Sequence, residues 1–173
     1  MNINKILKAM KFAAECHAKQ FRQNGITPYI NHPISVAYKV STLKDVTEEM
    51  IIAAVLHDVL EDCEEITQKQ IEIEFGATVA NYVNWLTNQS KKLGIKPRSF
   101  RKKYDCERLA NAPIEVKKIK LCDRINNLSE LKDFNKNFIS IYINESEMLL
   151  HHIGNVDAEL LQELMSLIIK IRE

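Results

Sequence analysis

Apolar residues recur at three- and four-residue steps along most of the chain, and no stretch alternates as a half-buried strand does. Ile3, Ile6, Leu7, Met10, Ala13, Ala14 and His17 place one apolar stripe on an opening helix, with His17 expected as a satisfied core histidine. FRQNGITPYINHP, with Gly25, Pro28 and Pro33, breaks that pattern and reads as a loop. Pro33 suits the first turn of a second helix running to about Leu43. Thr47 reads as an N-cap, with Glu48 and Glu49 in the first turn of a helix to about Leu60. Thr67-Gln68-Lys69-Gln70 has capping-box form, and Gly76 suits the end of that helix. Val79, Tyr82, Val83 and Leu86 lie on one side of a helix over 77–87. Pro113 opens a long helix through Leu131, and two more follow, from Phe138 to His152 and from Val156 to Ile171. The expected fold is all-α, a single compact helical bundle over residues 1–173, with four glycines, four prolines and no internal repeat.

Composition narrows the class without changing that picture. A chain of 173 residues with 46% hydrophobic and 27% charged residues can bury one core and is not disordered. A net charge of +1 gives no global argument for nucleic acid or an anionic membrane. The start of the chain lacks a signal-peptide pattern, and no apolar run approaches the roughly 18 residues of a membrane span. Cys16, Cys63, Cys106 and Cys122 form no CxxC pair, as expected of reduced thiols in a cytoplasmic protein. One local bias stands out. KKLGIKPRSFRKK, residues 91–103, holds seven basic residues and no acid. It reads as a solvated surface loop or as a lid over a polyanionic ligand.

The chemistry concentrates where the pattern is most apolar. MIIAAVL runs straight into HDVLED, His57 to Asp62. A helix hydrophobic on all sides is buried, so His57 and Asp58 should face the interior or a cleft. Glu61 stands one turn beyond His57 and Asp62 one turn beyond Asp58, which stacks an outer acidic pair above the inner pair of His57 and Asp58. Asp123 is a second carboxylate in apolar surroundings, among Ile119, Leu121, Cys122, Ile125 and Leu128, with Asn127 one turn on. His32 is the third candidate. Two imidazoles and two carboxylates suit Mn²⁺, Fe²⁺ or Zn²⁺, with water completing the shell and serving as nucleophile. Taken singly, the same residues have plainer accounts: a hydrogen-bonded core histidine, or a salt bridge from Asp123 to Arg124 or Lys120. For Tyr29, packing of the ring against its own loop is a simpler account than framing a pocket.

The pieces FRQNGITPYINHPISVA, AAVLHDVLEDCEEIT, FGATVANYV and IKLCDRINNL resemble, in order and spacing, the HD-domain metal-dependent phosphohydrolases. More narrowly, they resemble the hydrolase domain of RelA/SpoT-type enzymes and the stand-alone small alarmone hydrolases. The resemblance covers about residues 10–150. It implies an all-helical HD domain holding one Mn²⁺ through His32, His57, Asp58 and Asp123. It implies that Glu61 and Asp62 place and activate the water. Arg22 and Asn127 match residues that meet the nucleotide, and Tyr142 matches one that lines the base and ribose pocket. Lys91, Lys92, Arg98, Arg101 and Lys102 are the candidates in the basic stretch for the phosphates, with a plain surface role as the alternative for each. Gln23 stands where the family has lysine, one extra residue separates Gly25 from Pro28, and LCDR replaces LADR.

The implied activity is hydrolysis of the 3′-diphosphate of guanosine tetra- or pentaphosphate to GDP or GTP and pyrophosphate. The implied partner is therefore a small nucleotide, with neither nucleic acid nor membrane expected and the oligomeric state left open. No synthetase segment accompanies the hydrolase pattern, so a bifunctional regulator is not expected. Two other readings keep the same residues: an HD phosphohydrolase acting on another nucleotide, and a non-catalytic nucleotide-binding HD module.

Overall fold

The computed structural model describes residues 1–131 and 134–173. Among them there is no β-strand; Phe21 and Pro28 form one isolated antiparallel bridge. The chain forms two compact units, Met1–Thr87 and Asn88–Glu173.

The first unit is built around the most apolar helix. It holds α1 (Ile3–Cys16), α2 (Asn31–Ser41), α3 (Glu48–Leu56), α4 (Val59–Asp62), α5 (Gln68–Phe75) and α6 (Ala77–Leu86). Every residue from Met50 to Leu56 is buried, as a helix apolar on all sides requires. That helix packs against α1, α2 and α6, while α5 packs on α6. The caps are local and follow the sequence. Thr47 and Thr67 accept from the amides of Met50 and Gln70 through their side chains. Gly76 separates α5 from α6 with φ at +99°, where a side chain is strained.

One expected boundary moves. The helix expected to reach Leu60 stops at Leu56 and resumes as α4 after His57 and Asp58. His57 Nδ1 lies 2.8 Å from the carbonyl of Ala54. That carbonyl is the one Asp58 N–H would take in an unbroken helix, so a side chain competes with the backbone at this point.

The second unit holds α7 (Gln89–Lys92), α8 (Arg98–Leu109), α9 (Ile114–Ser129), α10 (Lys136–Ile153) and α11 (Ala158–Arg172), with a 3₁₀ turn over Gly154–Val156. Leu160, Leu164 and Ile168 give α11 one buried face, and it packs on α9. Asp157 caps α11 through the amides of Glu159 and Leu160, and lies 3.6 Å from Lys118 of α9. The basic stretch is not a continuous loop. α7 takes up Lys91 and Lys92, and α8 begins at Arg98, so Arg101, Lys102 and Lys103 are helical. Pro97 precedes α8, and Asp105, Cys106 and Leu109 form its buried side.

Candidate metal centre

In the first unit the interruption between α3 and α4 presents His57 and Asp58 together. His57 Nδ1 must donate to the Ala54 carbonyl, because a carbonyl only accepts. In the neutral ring this leaves Nε2 as the lone-pair nitrogen, the tautomer suited to a metal ligand. Nε2 of His57 lies 3.1 Å from Asp58 Oδ2, and Nε2 of His32 lies 3.8 Å from the same oxygen. The two imidazole rings meet edge-on with centroids 5.2 Å apart. Both histidines are 2% exposed, so they are core residues with ring nitrogens directed at one carboxylate.

Tyr29, for which loop packing was the simpler account, joins this group. Its hydroxyl donates to Asp58 Oδ2 at 2.7 Å. The Tyr29 ring also meets the His17 ring at 4.9 Å, and the Arg22 guanidinium stands 5.5 Å from the ring centroid. The loop holds this geometry by its own bonds. Arg22 N–H donates to Thr27 O, Tyr29 N–H to Gln20 O, and Asn24 Oδ1 accepts from the amides of Ile26 and Thr27. His17 is buried, as expected of a core histidine, with Nδ1 2.7 Å from Gln20 Oε1. Gln20 in turn donates to the backbone oxygen of Asp62. Glu61 is half-buried and Asp62 exposed on α4, one helical turn from the inner pair.

In the second unit Asp123 is 5% exposed on α9. Lys120 Nζ lies 2.7 Å from its Oδ2, and Asn127 Nδ2 donates to Oδ1 at 2.5 Å. The salt bridge considered as a plainer account of Asp123 is therefore present with Lys120, and both carboxylate oxygens are oriented by it and by Asn127. The alternative partner, Arg124, instead lies over the Tyr142 ring, its guanidinium carbon 4.3 Å from the centroid. Tyr142 also continues a stack formed with Phe138 and Phe134. Burial raises the Tyr142 phenol above its ordinary pKa, against the lowering field of Arg124. Lys102 is half-buried on α8, and Arg101 is half-buried beside it.

Buried donors of the kind that suit a divalent first-row cation are found in each unit taken by itself: the imidazoles of His32 and His57 in the first, the Asp123 carboxylate in the second. Two residues differ from their simpler sequence reading: Tyr29, expected to pack on its loop, donates to Asp58, and Arg124, a possible partner of Asp123, lies against the Tyr142 ring. Tyr29 had a signal, its place three residues before His32; Arg124 had none beyond adjoining Asp123.

No helix among the described residues is long and apolar enough to cross a membrane. The HD domain family model matches residues 9–146. The guanosine-3′,5′-bis(diphosphate) 3′-pyrophosphohydrolase MESH1 of Xenopus tropicalis is 40% identical over 129 residues, 73% of this chain and 69% of the relative. MESH1 of Homo sapiens is 36% identical over 128 residues, again 73% of this chain and 69% of the relative. A solved structure of a metazoan ortholog of SpoT that hydrolyses ppGpp superposes with a TM-score of 0.85 at 26% identity, covering 96% of this chain and 95% of that one. An all-helical fold, an HDxxED signature at the end of a buried helix and these likenesses agree: the chain belongs to the HD-domain family, in the branch that includes the MESH1 and SpoT-type hydrolases.

Proposed function

We propose that this chain is a metal-dependent 3′-pyrophosphohydrolase of guanosine 3′,5′-bis(diphosphate) and its pentaphosphate relative, working as a single HD domain over residues 1–173 in the cytoplasm. His32, His57, Asp58 and Asp123 hold one divalent cation, Mn²⁺ in this reading. The observation that carries the proposal is the pair of buried imidazoles whose Nε2 atoms face one oxygen of Asp58. Such a costly arrangement is retained where it binds something. The names of relatives at 36–40% identity supply the substrate.

A divalent ion held by this donor set would supply Lewis acidity, polarising a phosphate oxygen and acidifying water. Tyr29 fixes the Asp58 carboxylate, and the Ala54 carbonyl fixes the His57 tautomer. Glu61 and Asp62 accept the proton released as water attacks the 3′-linked phosphorus, and return one to the departing 3′-oxygen. The bond between that oxygen and phosphorus breaks, giving pyrophosphate and GDP or GTP. Arg22, held against Tyr29, neutralises charge on the phosphate oxygens through its fork of donors. Tyr142 borders the nucleoside, and Asn127 orients Asp123.

The test is to incubate the purified protein with Mn²⁺ and a panel of nucleotides, then separate the products by chromatography. Release of pyrophosphate from guanosine 3′,5′-bis(diphosphate) is expected, and preferred turnover of a substrate without a 3′-diphosphate would overturn the assignment. Glu61→Gln combined with Asp62→Asn should keep the metal and lower kcat by about 10²–10⁴-fold, the usual worth of general acid–base catalysis.

A further inference from the structure

Cations of the second unit, one of them buried, stand where the nearby acids are already engaged. Arg124 is 6% exposed, and its Nε and Nη1 have no hydrogen-bond partner among the described residues. Its guanidinium lies against the face of Tyr142. Lys102, on α8, lies within the fields of Lys120, Arg124 and Arg98, and burial followed by those cations holds its ammonium below its ordinary pKa. The acid whose field reaches Lys102 is Glu145, which is 7% exposed and already occupied. Arg98 takes both of its oxygens, Nε to Oε1 at 2.6 Å and Nη2 to Oε2 at 3.0 Å. Asp123 is likewise occupied by Lys120 and Asn127. Arg98 stands one turn before Lys102 on α8, and its partner Glu145 stands one turn after Tyr142 on α10, so one ion pair joins the helix of Lys102 to the aromatic ring that carries Arg124.

A guanidinium removed from water with unused donors is costly, and a further positive charge in the same unit adds to that cost. A single ligand class relieves both: an anion with several oxygens and more than one negative charge. We infer that Arg124 and Lys102 form a receptor for a diphosphate group. Tyr142, stacked on Arg124, ties the receptor to the nucleoside, so the group it takes is the 5′-diphosphate, the one that is not cleaved. This inference rests on the guanosine reading proposed above and assigns that substrate's second diphosphate its own counter-charges.

Two measurements test it. The first is the ratio of kcat/KM for guanosine 3′,5′-bis(diphosphate) to that for guanosine 3′-diphosphate with a free 5′-hydroxyl. Arg124→Gln and Lys102→Gln should each lower that ratio at least tenfold; a ratio within twofold of wild type in folded variants overturns the receptor. Lys102 lies on α8, which bears none of the proposed metal ligands, so Lys102→Gln keeps the test decisive if Arg124→Gln folds poorly. The second is calorimetric binding of inorganic pyrophosphate to the whole protein in chelator. Affinity at least tenfold weaker in either variant supports the receptor, and equal affinity overturns it. If wild type cleaves neither guanosine substrate yet loses pyrophosphate affinity in the variants, the receptor stands and the guanosine reading fails. Turnover of both substrates with an unchanged ratio removes the receptor and leaves the guanosine reading intact.

Discussion

Asp58, a ligand in the proposed centre, shows how neighbours can fix one carboxylate. Its Oδ2 faces two imidazole nitrogens and accepts from the Tyr29 hydroxyl at 2.7 Å. Groups that orient a ligand in this way typically contribute about 10–100-fold to metal affinity. Tyr29→Phe should therefore weaken Mn²⁺ binding by about tenfold, read by calorimetry, while leaving thermal stability near wild type. Equal affinity in the two proteins would show that the hydroxyl does not position the carboxylate. At this scale the sequence was informative wherever a polar residue stood in apolar company, as with His57, Asp58 and Asp123. It pointed elsewhere for Arg124, because an arginine beside an aspartate invites a salt bridge, and only the packed structure shows the guanidinium on an aromatic face.

Helix ends were legible because capping is local. Thr47 and Thr67 sit where their spacing to the next amides places them, and Gly76 occupies a backbone conformation reserved for glycine. Thr47→Ala should cost about 1 kcal/mol of folding stability. Gly76→Ala should cost about 1–3 kcal/mol, and all of it conformational, since nothing lies within 4 Å of an added Cβ. Denaturant midpoints of the two variants check both values. The break at His57 and Asp58 was not legible. Every residue from Glu48 to Asp62 suits a helix, and what interrupts it is an imidazole taking a backbone carbonyl. α8 escaped notice for a different reason. Its buried side is Asp105, Cys106 and Leu109, too few apolar residues to mark a period amid so many cations.

Across the whole molecule, stability and binding pull against each other at Lys102. Its pKa is lowered in the fold, so between that value and its ordinary 10.5 the unfolded chain holds more protons than the folded one. The sign follows: stability from this group rises with pH through that window, and the full penalty applies at neutral pH. Lys102→Gln should raise the Tm at pH 7, by about 2–4 °C for each kcal/mol relieved. Scanning calorimetry without ligand reads the effect, and an unchanged or lower Tm would show that the ammonium is not destabilising. The all-helical class was open to the eye from periodicity alone, whereas this tension was not, since it arises from charges on separate helices.

The support beneath α9 has a practical side. The family match ends at residue 146, while α11 begins at Ala158 and covers α9, the helix bearing Asp123. A chain trimmed to the matched span would leave one flank of α9 bare to water and remove Asp157, the partner of Lys118. The smallest piece able to keep Asp123 in its native setting is thus longer than the shared pattern suggests.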